Sequence, residues 1–82
     1  MPRYFFDTDD GTSPLIDPEG YELPDEAAAR WAALDALPDM ARDKIPDGDH
    51  RTFSVSVRDA NQEVIYAATL SLMGGWKKRL RK

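Results

Sequence analysis

Eighty-two residues, 41% of them hydrophobic, make one small domain, and the absence of cysteine excludes a disulfide, a zinc-thiolate site and a thiol nucleophile. No apolar run approaches the roughly 20 residues that a membrane-spanning helix needs. The net charge of −4 is unevenly spread: residues 1–50 hold 13 Asp/Glu against 4 Lys/Arg, residues 51–73 balance, and residues 74–82 carry five Lys/Arg and no acid.

The opening Arg3 to Thr8 alternates like a strand, with Tyr4 and Phe6 on one side and Arg3, Phe5 and Asp7 on the other. Met1 to Asp7 lacks the apolar stretch of a signal peptide, so a cytoplasmic location is expected. Asp9 to Pro14 has turn chemistry, because Gly11 permits positive φ and Asp and Ser side chains bond the local backbone. Leu15-Ile16 opens a second, broken strand. Pro18 removes a ladder donor, Gly20 marks a bulge or turn, and Tyr21-Glu22-Leu23 resumes the alternation. A strand interrupted this way belongs at a sheet edge.

Asp25 is a good N-cap, and the Ala-rich run after it has high helix propensity. Ala27, Trp31, Leu34, Ala41 and Ile45 fall on one helical face, flanked by Leu37 and Met40. That face keeps its phase past Pro38, which predicts one continuous, kinked helix ending at Pro46-Asp47-Gly48-Asp49.

Two strands follow. Phe53, Val55 and Val57 alternate with Thr52, Ser54, Ser56 and Arg58. After a hairpin turn at Asp59 to Gln62, Val64, Tyr66, Ala68, Leu70 and Leu72 alternate with Ile65, Ala67, Thr69 and Ser71. The expected architecture is an α+β domain over residues 1–73, a ββαββ sheet with the helix on one face. Gly74-Gly75 then joins it to a flexible basic tail, residues 74–82.

Three stretches carry a resemblance: Pro2 to Asp7, Asp17 to Asp25, and Met40 to Gly48. They resemble a family of small uncharacterised bacterial proteins over most of the chain to about Leu72. The resemblance implies a bacterial protein and brings no activity or catalytic residues. Gly20-Tyr21, Pro24-Asp25-Glu26-Ala27 and the Ala-rich helix also resemble, more distantly, the HicB-like antitoxin domain. That likeness implies the ββαββ order and, from topology alone, a toxin partner.

The chemistry-bearing candidates are few. His50, the single histidine, follows Asp47 and Asp49, but no second His or Cys completes a typical metal or catalytic site. Asp7, Asp9, Asp10, Asp17, Glu19 and Glu22 are numerous enough for a hard cation yet lack EF-hand spacing, and read as a solvated acidic loop edge. No metal and no cofactor are expected. Tyr4, Phe5 and Phe6 suggest a base-stacking sheet, against which the surrounding acid would repel phosphate. Phe5 and Ile65, placed on the face away from the helix, suggest an interface on that face. In the tail, Trp76, Lys77, Lys78, Arg79, Arg81 and Lys82 suit nucleic acid, with about four or five phosphates neutralised and Trp76 stacked on a base, or a membrane surface or acidic protein, or else serve only as a solubilising tail or fold back on the acidic body.

These features favour a non-catalytic protein-interaction or regulatory module acting as a homodimer. The alternatives are a nucleic-acid-binding accessory protein that uses the tail and a metal-dependent enzyme that uses the acidic loops.

Overall fold

The two arms on either side of Asp59 to Gln62 form the longest ladder of the molecule, because each alternates over enough residues to present one continuous apolar face. A computed structural model describes residues 1–44 and 49–77 of the chain. Its elements are β1 (Arg3–Asp9), β2 (Pro14–Leu15), β3 (Tyr21–Glu22), α1 (Glu26–Lys44), β4 (His50–Arg58) and β5 (Val64–Met73). All strand pairs are antiparallel, in the order β2-β1-β4-β5, and β3 shares the outer edge of β1 with β2. The fold is therefore α+β, and the second strand-like stretch is the broken edge strand its Pro and Gly residues imply. Among the described residues no helix is long and apolar enough to cross a membrane.

The register explains the core. Phe6 pairs with Val57 and Val57 with Tyr66, while Thr8 pairs with Val55 and Val55 with Ala68. Directly paired residues share a face, so these side chains meet α1 together. Phe53, Val55 and Val57 are fully buried, and Tyr4 joins them. Phe5 lies on the opposite face, as its alternation requires, with the Arg58 guanidinium 4.9 Å from its ring centroid.

Asp25 caps α1 as expected, its carboxylate accepting the Ala28 N–H at 2.9 Å. The helix continues through Pro38 to Lys44. Its buried face differs from the expected one. Ala29, Ala33, Leu37 and Ala41 face the sheet, whereas Trp31 is 68% exposed and Ala27 is exposed. Ile45, assigned to the same face, lies outside the described residues, as do Pro46, Asp47 and Gly48. The reason is steric. The sheet supplies Tyr4, Phe53, Val55 and Val57, so the close helix face holds mostly small residues, and the bulky indole is turned to solvent. Alanine occurs all round this helix, so apolar spacing alone does not fix its rotation.

One further residue is displaced from its expected place. Val57 pairs with Tyr66 but Arg58 pairs with Val64, leaving Ile65 as the extra residue of a bulge. The bulge reverses the alternation at its end of β5. Ile65, expected on the face away from the helix, packs partly against the core, and Val64 is exposed instead.

Ala33→Leu, at a fully buried contact, is expected to cost about 1–3 kcal/mol by overpacking. Trp31→Ala is expected to change stability by less than about 0.5 kcal/mol. Urea unfolding midpoints of the two variants check both, and a large loss in Trp31→Ala would refute the helix rotation described here.

Candidate functional site

β1 pairs with β4 from Phe5 to Asp9 on one side and with two fragments on the other. β2 pairs at Thr8 and Asp9, β3 at Arg3 and Tyr4, and the backbone between them has no strand beside it. Asp17 fills that gap. Its Oδ2 accepts the Phe6 N–H at 3.0 Å, and its Oδ1 accepts the N–H groups of Glu19 at 3.1 Å and Gly20 at 3.0 Å. Its own N–H is donated to Asp7 Oδ1 at 3.0 Å. The Asp17 carboxylate thus replaces the ladder bond that an unbroken strand would make to the Phe6 N–H.

Arg58 fastens this arrangement from β4. Its Nε and Nη2 donate to the two oxygens of Asp7 at 2.7 and 3.0 Å, and Nη2 also donates to the Asp17 carbonyl at 3.0 Å. Nη1 donates to Gln62 Oε1 in the hairpin turn. The fork geometry of guanidinium permits this two-pronged contact. Gly20 completes the bend, with φ of +73°, and a Cβ there would stand 2.7 Å from the Tyr4 carbonyl oxygen.

The electrostatics follow. The bonds from Arg58 hold the Asp7 carboxyl below its usual range, and in return hold the Arg58 guanidinium above its own. Burial pushes Asp17 up, but the N–H groups of Gly20, Phe6 and Glu19 outweigh it and the net direction is down. Asp10 is pulled down to about 2 by the N–H groups of Thr12 and Ser13 and the Thr12 hydroxyl. These acids were expected to form a solvated loop edge. Asp7, Asp10 and Asp17 instead organise the first half of the chain, spending their oxygens on backbone N–H groups and Arg58. Among the described residues no three of His, Asp or Glu converge to hold a metal.

The wrapped edge leaves an apolar groove of about 600 Å³ between the β2–β3 segment and α1. Phe6 forms its floor and Ala32 and Ala36 its helix wall, while Leu15, Ile16, Tyr21 and Leu23 line the opposite side. The alanines matter because larger side chains would fill the space. Tyr21 stands edge-on to Phe6, with ring centroids 5.9 Å apart. Leu15, Ile16 and Tyr21 are 68, 65 and 64% exposed. Adjacent exposed apolar side chains in so acidic a segment are the surface feature that most needs a reason.

Of the residues singled out from sequence, Phe6, Asp17 and Glu22 line this groove, whereas the expected interface and tail residues do not. Phe5 is half-buried under Arg58, and Ile65 belongs to the core edge. His50 is exposed at the start of β4, opposite Met73, and Asp49 beside it is exposed. Trp76 is 89% exposed and Lys77 is exposed, while Lys78, Arg79, Arg81 and Lys82 lie outside the described residues. Sequence reasoning missed Arg58, Ile16 and the Ala32/Ala36 wall. The available signal was the pair Leu15-Ile16 between Pro14 and Pro18, too apolar for a solvated loop and too short to pair as a full strand.

The chain belongs to a family described as a domain of unknown function (DUF6894), whose model matches residues 3–71. No curated protein and no solved structure matches it.

Asp7, Asp10 and Asp17 all ionise more readily when folded. Their stabilisation is therefore complete above the usual carboxylate range near pH 4 and is lost as pH falls through the depressed folded values, about 2 for Asp10. Thermal melts should show the midpoint dropping between about pH 4 and pH 2. Asp7→Asn should cost about 1–2 kcal/mol at pH 7 and lose less than the parent on acidification. An acid response identical to the parent's would refute the role given to Asp7.

Proposed function

We propose that this member of the family is a non-catalytic protein-binding module, regulatory in role, which acts as a homodimer through the groove between α1 and the β2–β3 segment. The observation that carries the reading is the set of exposed apolar side chains, Leu15, Ile16 and Tyr21, around an apolar cavity of about 600 Å³. An 82-residue domain has little core with which to offset such exposure, and covering the groove would stabilise it. The sheet face away from α1 is a poorer contact, because it presents Ser54, Ser56, Thr69 and Ser71, with Phe5 already covered by Arg58. The acidic side chains support a scaffold role over metal chemistry, since Asp7, Asp10 and Asp17 are engaged by N–H donors. A bacterial cytoplasm is the setting this reading assumes.

A second reading, nucleic-acid binding by the tail, is favoured by Trp76 standing 89% exposed beside Lys77 and the further cations of the sequence.

Sedimentation velocity over a concentration series tests the first reading. The parent chain should form a dimer, and Ile16→Glu should dissociate it without changing the far-ultraviolet circular dichroism. Ala36→Glu, on the facing wall, is the companion variant should Ile16→Glu perturb the fold. A parent chain that stays monomeric throughout, or a dimer indifferent to both variants, would refute the groove as the contact.

A further inference from the structure

The groove is apolar within and acidic along its helix border. Ala32 and Ala36 line it. Asp35 and Asp39 stand three residues after them, and Asp43 continues the same row four residues on, all three exposed, with Asp39 also accepting from Arg42 Nη1 at 2.8 Å. Glu22 lines the opposite side, its carboxylate accepting from Arg3 Nη2 at 3.2 Å. A fitting occupant therefore carries a large apolar anchor followed closely by several cations. Residues 74–82, Gly-Gly-Trp-Lys-Lys-Arg-Leu-Arg-Lys, have that composition, with five Lys/Arg after one indole. Trp76 is the most exposed large apolar side chain among the described residues, at 89%.

Chain geometry and the exposure of Trp76 favour a second copy as its source. Phe6, on the groove floor, pairs with Val57, and Val57 pairs with Tyr66, seven residues before Met73 at the end of β5. Seven residues of strand are about 23 Å, and two strand spacings add about 10 Å sideways, so Met73 is about 25 Å from the floor. The Gly74 N–H is donated to the Asp49 carbonyl at 2.6 Å, which prolongs the hairpin away from the groove. Trp76 follows Met73 by three residues, a reach of at most about 11 Å. Trp76 stands 89% exposed in its own chain and does not line that chain's groove.

We infer that the groove beside α1 receives the basic tail of a second copy of this chain, with Trp76 as its apolar anchor and the cations against the row Asp35, Asp39 and Asp43. This rests on the reading of the groove as the dimer contact and names its occupant. Reciprocal exchange of two tails closes a two-fold pair. Burial of the Trp76 anchor drives the docking.

The test uses the full chain carrying Trp31→Phe, so that Trp76 is the single indole, studied by sedimentation and tryptophan emission over one concentration series. Trp76 emission should move to shorter wavelength over the same range in which the dimer forms. Trp76→Ala should weaken the dimer at least about tenfold, since removal of an anchor is what an interface tolerates least. Raising salt should weaken it further, as the charges are at the surface. A dimer that survives Trp76→Ala but is lost in Ile16→Glu overturns this inference and leaves the groove reading standing. Emission already at short wavelength in the monomer would mean that the tail docks in cis, and also overturns it. A shift seen only when an oligonucleotide is added would assign the tail to nucleic acid and overturn it equally.

Discussion

Arg58 reaches from β4 to Asp7 on the neighbouring β1, and beyond it to the backbone of Asp17 in the edge segment. Three pieces of chain separated by up to 51 residues are joined by one guanidinium. Asp7 and Arg58 are each only 17% exposed, so the pair is largely withdrawn from water and screened less than a surface ion pair. Its stabilising effect depends on completeness: both Asp7 oxygens are bonded, and the second lone pair of Oδ1 is filled by the Asp17 N–H. Among the described residues no buried side-chain polar atom lacks a partner. A partial version of this network would cost more than it contributes.

The network also determines where apolar surface is left over. Because Asp17 and Gly20 bend the edge segment against β1, Leu15 and Ile16 are carried outward, short of α1, while Leu23 returns to touch the core. The helix meets the sheet through Ala29, Ala33 and Ala41, close enough that a second row, Ala32 and Ala36, becomes one wall of an open trough. Core packing, edge bracing and groove are consequences of the same small residues and the same carboxylates. The proposed contact is therefore built from the scaffold itself, with no dedicated loop, and its acidic border follows from the composition of the helix flank.

Local features were legible in the sequence because local chemistry decides them. The N-cap at Asp25, the turn acids at Asp9 and Asp10, the broken edge strand and the Asp59 turn each depend on residues within a few positions of one another. Period-two alternation likewise assigned Phe53, Val55 and Val57 to the core and Phe5 to the far face. Where the pattern was ambiguous, it misled. An alanine-rich helix offers several plausible faces, and choosing the one with the tryptophan rotated it away from its real contact. In β5 a single bulge exchanged the environments of Val64 and Ile65, and nothing in the alternation of that strand announces it.

The sequence by itself determined the element types, the antiparallel hairpin of the last two strands, the acidic body and the basic tail, since each follows from propensity, periodicity or charge along the chain. Tertiary structure decided the rest: which helix face is buried, which acids bond to Arg58, and that Leu15, Ile16 and Ala36 stand around one cavity. Those outcomes depend on residues brought together from distant positions, and the fit of side-chain volumes and donor directions across that distance leaves no trace in local spacing.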